Sequence, residues 1–169
     1  PEIPRVADEV AVRRISTLLE PAGRAEGNPI RLAENAGIGF IGCYVLGMGF
    51  VVDPAEAQEW IATDPRNAEV LFPYLNGEDL NSRPDASASR WVIDFNDRSE
   101  AEAATYVLPF DRVKRLVKPE RDRLDGRNAT ATDRAKHWWK YGRRAPAMRK
   151  AIATLPEVLV IARVSKTVM

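Results

Sequence analysis

The stretch "VVDPAEAQEWIATDPRNAEVLF", residues 51 to 72, carries the strongest local structural signal in the chain. Asp53 stands where a helix N-cap belongs, Pro54 takes the first helical position, and Glu56 falls where a capping box places its returning carboxylate. Ala57, Trp60 and Ile61 then share one face, which predicts a short amphipathic helix. Asp64 and Pro65 repeat the signal and predict another short helix, followed by a long polar loop through "PYLNGEDLNSRPDASAS".

Upstream, "IGCYVLGMGFVV", residues 41 to 52, is rich in β-branched and aromatic residues with repeated glycine, which predicts a strand with a bulge or close backbone approach. Residues 6 to 22 read as a short helix or an arm of mixed character. Downstream, "RWVIDF", residues 90 to 95, predicts a strand bounded by turn residues. Ser99 and Glu102 form a second capping box that opens a helix through about Tyr106. Val113, Leu116 and Val117 recur at helical spacing between Asp111 and Lys118, beneath a cationic outer face, and Pro119 interrupts the run. "TATDRAKHWWKYG" predicts further helical turns, and Pro146 starts a helix with Met148, Ile152 and Leu155 inward. "EVLVIARV", residues 157 to 164, predicts a strand. Helices of unequal length separate these strands without a regular βαβ repeat, so the expected class is α+β, a mixed and mainly antiparallel sheet with flanking short helices.

Gly37, Gly39 and Gly42 have the spacing G-x-G-x-x-G of a dinucleotide-binding loop. That loop needs a helix to begin at the glycines and meet the pyrophosphate. Here "CYVLGMGFVV" follows and reads as a strand, and Asp53 reads as a helix cap rather than a ribose ligand. A small nucleotide-binding enzyme therefore ranks last among the functional alternatives.

The 169 residues suit one domain, or one domain with an appended arm. No apolar run of about 18 residues and no charged-then-apolar leader occurs, so no membrane partner is expected and the cytoplasm is the expected compartment. Cys43 is the single cysteine and His137 the single histidine, which argues against an internal disulfide and against Cys- or His-based metal sites. The opening "PEIPRV" without Met and the ending "RVSKTVM" suggest an excised piece of a larger protein.

The formal charge is +1 but unevenly spread. Residues 112 to 150 hold 14 Lys or Arg against 4 acids, while the rest of the chain holds 11 of the 25 bases against 20 of the 24 acids. A basic block interleaved with Trp138, Trp139 and Tyr141 suits a phosphate-facing surface; a solvated helical face is the plainer alternative.

The words "LGMGFVVDPAEAQEWIATDPRNAEVLFPYLNGEDLNSRPD", "RWVIDF", "VKPERD", "HWWKYG" and "VLVIARVSK" occur in this order. Together they resemble the target-recognition region of MmeI-like type IIG (or IIL) restriction-modification enzymes and related adenine-specific DNA methyltransferases. The resemblance runs from about Asn35 to Lys166. It implies an arm or connector over residues 1–34 and a C-terminally truncated target-recognition domain over 35–169. It further implies double-stranded DNA and the methyltransferase domain of the same polypeptide as partners, with S-adenosylmethionine, and Mg where a nuclease is present, bound by the parent enzyme and no cofactor in this part. Neither the family's Asn-Pro-Pro-Tyr-like loop nor a Pro-Asp…Glu-x-Lys cluster occurs here, so no catalytic residue is expected. The family's further strands and "F-P-F-P"-like closure are also missing, which puts the completeness of base reading in doubt.

Within that reading Arg163, Ser165 and Lys166 match the family's "RVSK" word, and a guanidinium there suits guanine O6 and N7 or a phosphate. Lys140, Arg143 and Arg144, around Gly142, suit phosphate contact, as do Lys118, Arg121 and Arg123. Asn76 and Arg83 lie in a polar loop, with Glu78, Asp79 and Asn81, able to read base edges or merely to make turns. Adjacent tryptophans on a helix point about 100° apart, so one of Trp138 and Trp139 is expected in the core and the other is a candidate for base stacking. The rival reading is a protein-interaction module whose basic surface meets an acidic partner.

Overall fold

The computed structural model describes residues 5–7, 9–12, 32–124, 126 and 128–162. The chain divides into two units, Pro1–Gly39 and Phe40–Met169. In the first, β1 (Arg5–Ala7) and β2 (Val10–Val12) pair antiparallel, with Val6 opposite Ala11 and Glu9 at φ 65° between them. This strand pair replaces the helix that was one of the two alternatives from residue 6, and residues 13–31 lie outside the described residues. A single 3-10 turn, Ala33–Asn35, leads to Gly37 at φ 82°.

The second unit is built on a three-stranded antiparallel sheet in the order β3 (Val51–Val52), β5 (Arg90–Ile93), β4 (Leu71–Tyr74). Val52 pairs with Trp91, and Leu71 with Ile93. The central strand β5 is the one predicted in "RWVIDF"; both neighbours are short, and β4 carries Pro73 because an edge strand can do without one ladder N–H. Around the sheet lie α1 (Pro54–Thr63), α2 (Gly77–Ser82), α3 (Glu100–Ala104), α4 (Val107–Leu116), α5 (Lys118–Asp122), α6 (Ala129–Lys136) and α7 (Pro146–Ile152). This is the α+β architecture expected from the alternation of patterns.

Capping sets the helix starts. Asp53 accepts from Ala55 N at 2.9 Å and Asp64 from Arg66 N at 3.0 Å, opening α1 and the 3-10 helix Pro65–Glu69. Glu56 does not close the capping box, because Arg112 engages it. The second box is complete: Ser99 Oγ accepts from Glu102 N at 3.2 Å, and Glu102 accepts from Ser99 N at 2.7 Å. The Ser99 hydroxyl and then the Ser99 N–H, both donating to Glu102 Oε2 at 2.7 Å, hold the Glu102 carboxyl below its usual pKa. Pro119 does not end helical structure; it sits in the first turn of α5, where its missing N–H is harmless.

The core joins sheet and helices through Phe50, Val52, Ala57, Val70, Ile93, Phe95, Ala103, Val113 and Val117, each at most 1% exposed. A chain of rings extends it, from Phe95 to Phe110 (6.1 Å), Phe110 to Trp138 (5.3 Å) and Trp138 to Trp139 (5.9 Å), with Phe50 edge-on to Tyr141 at 5.4 Å. Arg112 on α4 ties three elements: it donates to Gly49 O at 3.2 Å, to Val51 O at 2.8 Å, and to both Glu56 carboxylate oxygens at 3.0 Å.

Four expectations are corrected. The strand expected over 41–52 is reduced to Val51–Val52, preceded by the 3-10 turn Met48–Phe50 and a single bridge from Tyr44 to Arg143. Leu46 at φ 47° and Gly47 at φ 149° break the extended backbone there. The long polar loop expected from Pro73 instead contains the end of β4, which runs through "LFPY", and α2, which Asn76 caps. Residues 157–162, the described part of the strand expected over 157 to 164, have no ladder partner among the described residues, and Leu159 and Ile161 are 103% and 82% exposed. Leu155, expected inward, is 54% exposed, while Met148 and Ile152 are half-buried. Among the described residues no helix is long and apolar enough to cross a membrane.

Candidate nucleic-acid interface

Packing divides the cations of the basic block into those already engaged by the protein and those left to solvent. Arg112 is engaged as described. Lys118 holds Asp122 one helical turn away, at 2.9 Å, and lies 6.0 Å from the Trp138 ring. Arg149 bonds Asp94 at 2.6 Å and Arg144 O at 2.9 Å; burial opposes its charge, but Asp94 outweighs that and raises its pKa. Lys140 donates to Asp97 O at 3.1 Å and lies 5.8 Å from the Trp139 ring; burial and then Arg144 lower its pKa.

Arg121 is the clearest correction among the expected DNA-contacting residues. It is 4% exposed and donates to Leu46 O at 2.6 Å, clasping the irregular 44–47 segment to α5. Burial, followed by the like charge of Arg134, lowers its pKa. A side chain so enclosed is a structural tie and is not presented to a phosphate.

Lys114, Arg115, Arg123, Lys136, Arg143, Arg144 and Lys150 make no ion pair with a carboxylate among the described residues, and all but half-buried Arg144 are exposed. Arg143 is further positioned by the backbone bridge to Tyr44 and by its guanidinium, 5.5 Å from the Tyr44 ring. Of the block residues expected to meet phosphate, Arg123, Arg143 and Arg144 remain available. Lys114, Arg115, Lys136 and Lys150 were not singled out beforehand, although their positions on outward helix faces could have marked them.

The polar segment is more structured than its composition suggests. Asn76 Oδ1 accepts from Glu78 N at 2.8 Å and Asp79 N at 3.1 Å, so its carbonyl is committed to capping α2. Asp79 is 3% exposed and receives Ser89 N at 3.3 Å; its bonds with Ser89 lower its pKa. Arg83 is exposed, with its Nε donating to Ser87 Oγ at 2.9 Å.

Both tryptophans are core residues, at 5% and 7% exposure, and Trp139 Nε1 donates to Arg98 O at 3.0 Å. The expectation that one of them stacks on a base does not stand. Its premise was a helix running through both, whereas α6 ends at Lys136 and the following turn lets adjacent side chains enter the same core. His137 Nδ1 meets Asp133 at 2.9 Å, and the Cys43 thiol donates to Arg144 O at 3.3 Å. Among the described residues no cluster of three or more His, Cys, Asp or Glu is arranged to hold a metal ion. Arg163, Ser165 and Lys166 lie outside the described residues.

The fingerprint glycines form no phosphate loop: residues 36–38 are a turn, no helix begins at Gly42, and a Cβ at Gly42 would meet nothing within 4 Å. Close backbone approach occurs instead at Gly49 and Gly142, against Leu116 and Leu46 respectively. Two open clefts flank Arg112. One, of about 490 Å³, is lined by Met48, Val51, Arg90, Leu116 and Glu120 among others; the second, of about 450 Å³, lies between α1 and α4. Comparison of the chain with family models, with curated proteins and with solved structures gives no match.

Proposed function

We propose that this chain is a DNA target-recognition domain of an S-adenosylmethionine-dependent adenine DNA methyltransferase, in an enzyme that either also carries an endonuclease or lacks one. The observation that carries the reading is the set of exposed cations without carboxylate partners among the described residues, beside Arg112, Lys118 and Arg149, which are paired, and Arg121, which is buried. Together with the ordered words resembling MmeI-like enzymes, that set favours a polyanionic partner. Free Lys and Arg would neutralise backbone phosphates, and side chains presented by loops would probe base edges in the major groove. Chemistry would belong to the methyltransferase domain of the same polypeptide, which would extrude the target adenine and methylate it.

The test is duplex affinity measured across a salt series for the wild type and for a Lys114→Ala, Arg143→Ala, Lys150→Ala triple variant. Each lost phosphate contact reduces the slope of log K against log salt by about 0.9. A slope reduced by about 2 to 3 at unchanged thermal stability supports the reading. An unchanged slope, or tighter binding to an acidic protein than to duplex DNA, favours the protein-interaction module instead.

A further inference from the structure

The cleft between α1 and α4 combines an aromatic side chain, two cations and a carboxylate. It is lined by Trp60, half-buried against the core, and by Leu108, which is 38% exposed. The Trp60 indole N–H has no hydrogen-bond partner among the described residues. On α4, Leu108, Asp111 and Arg115 follow at helical spacing, so they share the stripe that faces the cleft, and Lys114 lies one turn beyond Asp111. Among the described residues Lys114 and Arg115 are exposed cations without ion pairs, and Asp111 is an exposed carboxylate without one.

We propose that this cleft binds a single unpaired nucleotide unit, the base against Trp60 and the phosphate between Lys114 and Arg115. Three complementarities carry it. An indole gives a planar surface on which any base can stack, as aromatic side chains do in single-strand sites. Lys114 and Arg115, which line the cleft one helical turn from the Asp111 carboxylate, match a phosphate, while the Arg112 guanidinium, neutralised by Glu56, adds a polar wall without competing for the anion. Asp111 accepts from an exocyclic amino group, which favours adenine, cytosine or guanine over uracil and thymine. The volume of about 450 Å³ falls in the range of small-ligand sites. Bases stacked within a duplex cannot reach the indole, so the inference does not rest on the duplex-reading proposal. The ligand has two sources, a free mononucleotide or an unpaired nucleotide within a strand.

The experiment follows the Trp60 indole N–H resonance, assigned with a Trp60→Phe variant, during titration with AMP, inorganic phosphate, a duplex carrying one unpaired dA, and the fully paired duplex. The expected result is a saturable shift with AMP, with the unpaired-dA duplex, or with both, the responding arm naming the source. Neither phosphate nor paired duplex reproduces it. A Lys114→Ala, Arg115→Ala double variant weakens the binding by at least about tenfold, since each charge-assisted bond to a phosphate is worth roughly 1.5–3 kcal/mol. The inference is overturned if the resonance responds to neither nucleotide source, if paired duplex shifts it as strongly, or if the double variant binds as the wild type does. Because affinity for the paired duplex is measured separately by fluorescence anisotropy, failure here and failure of the DNA-recognition reading are distinguishable.

Discussion

Replacing Gly49 by alanine tests how closely the 3-10 turn Met48–Phe50 is pressed against α4. A Cβ at Gly49 would lie 2.6 Å from Leu116 Cβ, 2.7 Å from Val117 Cγ2 and 3.3 Å from Val117 N. Ordinary van der Waals contact begins near 3.4 Å, so the turn and the end of α4 must separate by about 0.8 Å. No rotamer change relieves the first contact, because Leu116 Cβ is fixed to the helix backbone. The displacement also lengthens the Arg112 bond to Gly49 O. Overpacking of a filled core costs about 1–3 kcal/mol, and a contact against atoms this rigid belongs at the top of that range, near 3 kcal/mol. For a chain of this length that corresponds to a fall in Tm of about 6–12 °C. Thermal and urea unfolding followed by circular dichroism measure it, with Gly42→Ala as the control. A Cβ at Gly42 meets nothing within 4 Å, so that variant should be neutral or stabilised by up to about 1 kcal/mol. A Gly49→Ala protein melting within about 2 °C of the wild type would refute the packing.

Arg112→Ala should cost about 2–4 kcal/mol, because two backbone carbonyls and Glu56 lose their donor together; Glu56→Gln should cost less, and urea midpoints compare them. Trp139→Phe should lower stability by about 1–2 kcal/mol through the unpaired Arg98 carbonyl and leave the salt slope of duplex binding unchanged, as measured by unfolding and fluorescence anisotropy. Ser99→Ala should lower Tm at neutral pH. Because Ser99 holds Glu102 below its ordinary pKa of 4.5, that contribution is complete above 4.5 and is lost as pH falls through the lowered value, so the gap between variant and wild type should narrow in acid.

Elements specified by local chemistry were legible in the sequence. Asp53 with Pro54, and Ser99 with Glu102, satisfy helix-end donors within a few residues and need no distant partner. "RWVIDF" is apolar enough to take the centre of a sheet. Elements that depend on distant partners were not legible. "GCYVLGMGF" has strand composition, yet Arg121, 75 residues beyond Leu46, holds that segment in an irregular path. "LFPY" contains a proline that argues against a strand until its edge position is known. "EVLVIA" has every strand propensity and no neighbouring strand to pair with among the described residues. For the candidate site, composition identified the basic block but not its division into engaged and free cations. That division depends on carboxylates and carbonyls such as Glu56, Asp94 and Asp97, which come from outside the block.

The central claim is that this chain reads duplex DNA. Selection from a randomised duplex pool, at near-physiological salt with heparin as competitor, tests it most directly. The account predicts enrichment of one family of related sites, with binding that survives heparin better on those sites than on the unselected pool. Equal retention of all sequences, with heparin displacing them alike, would contradict it.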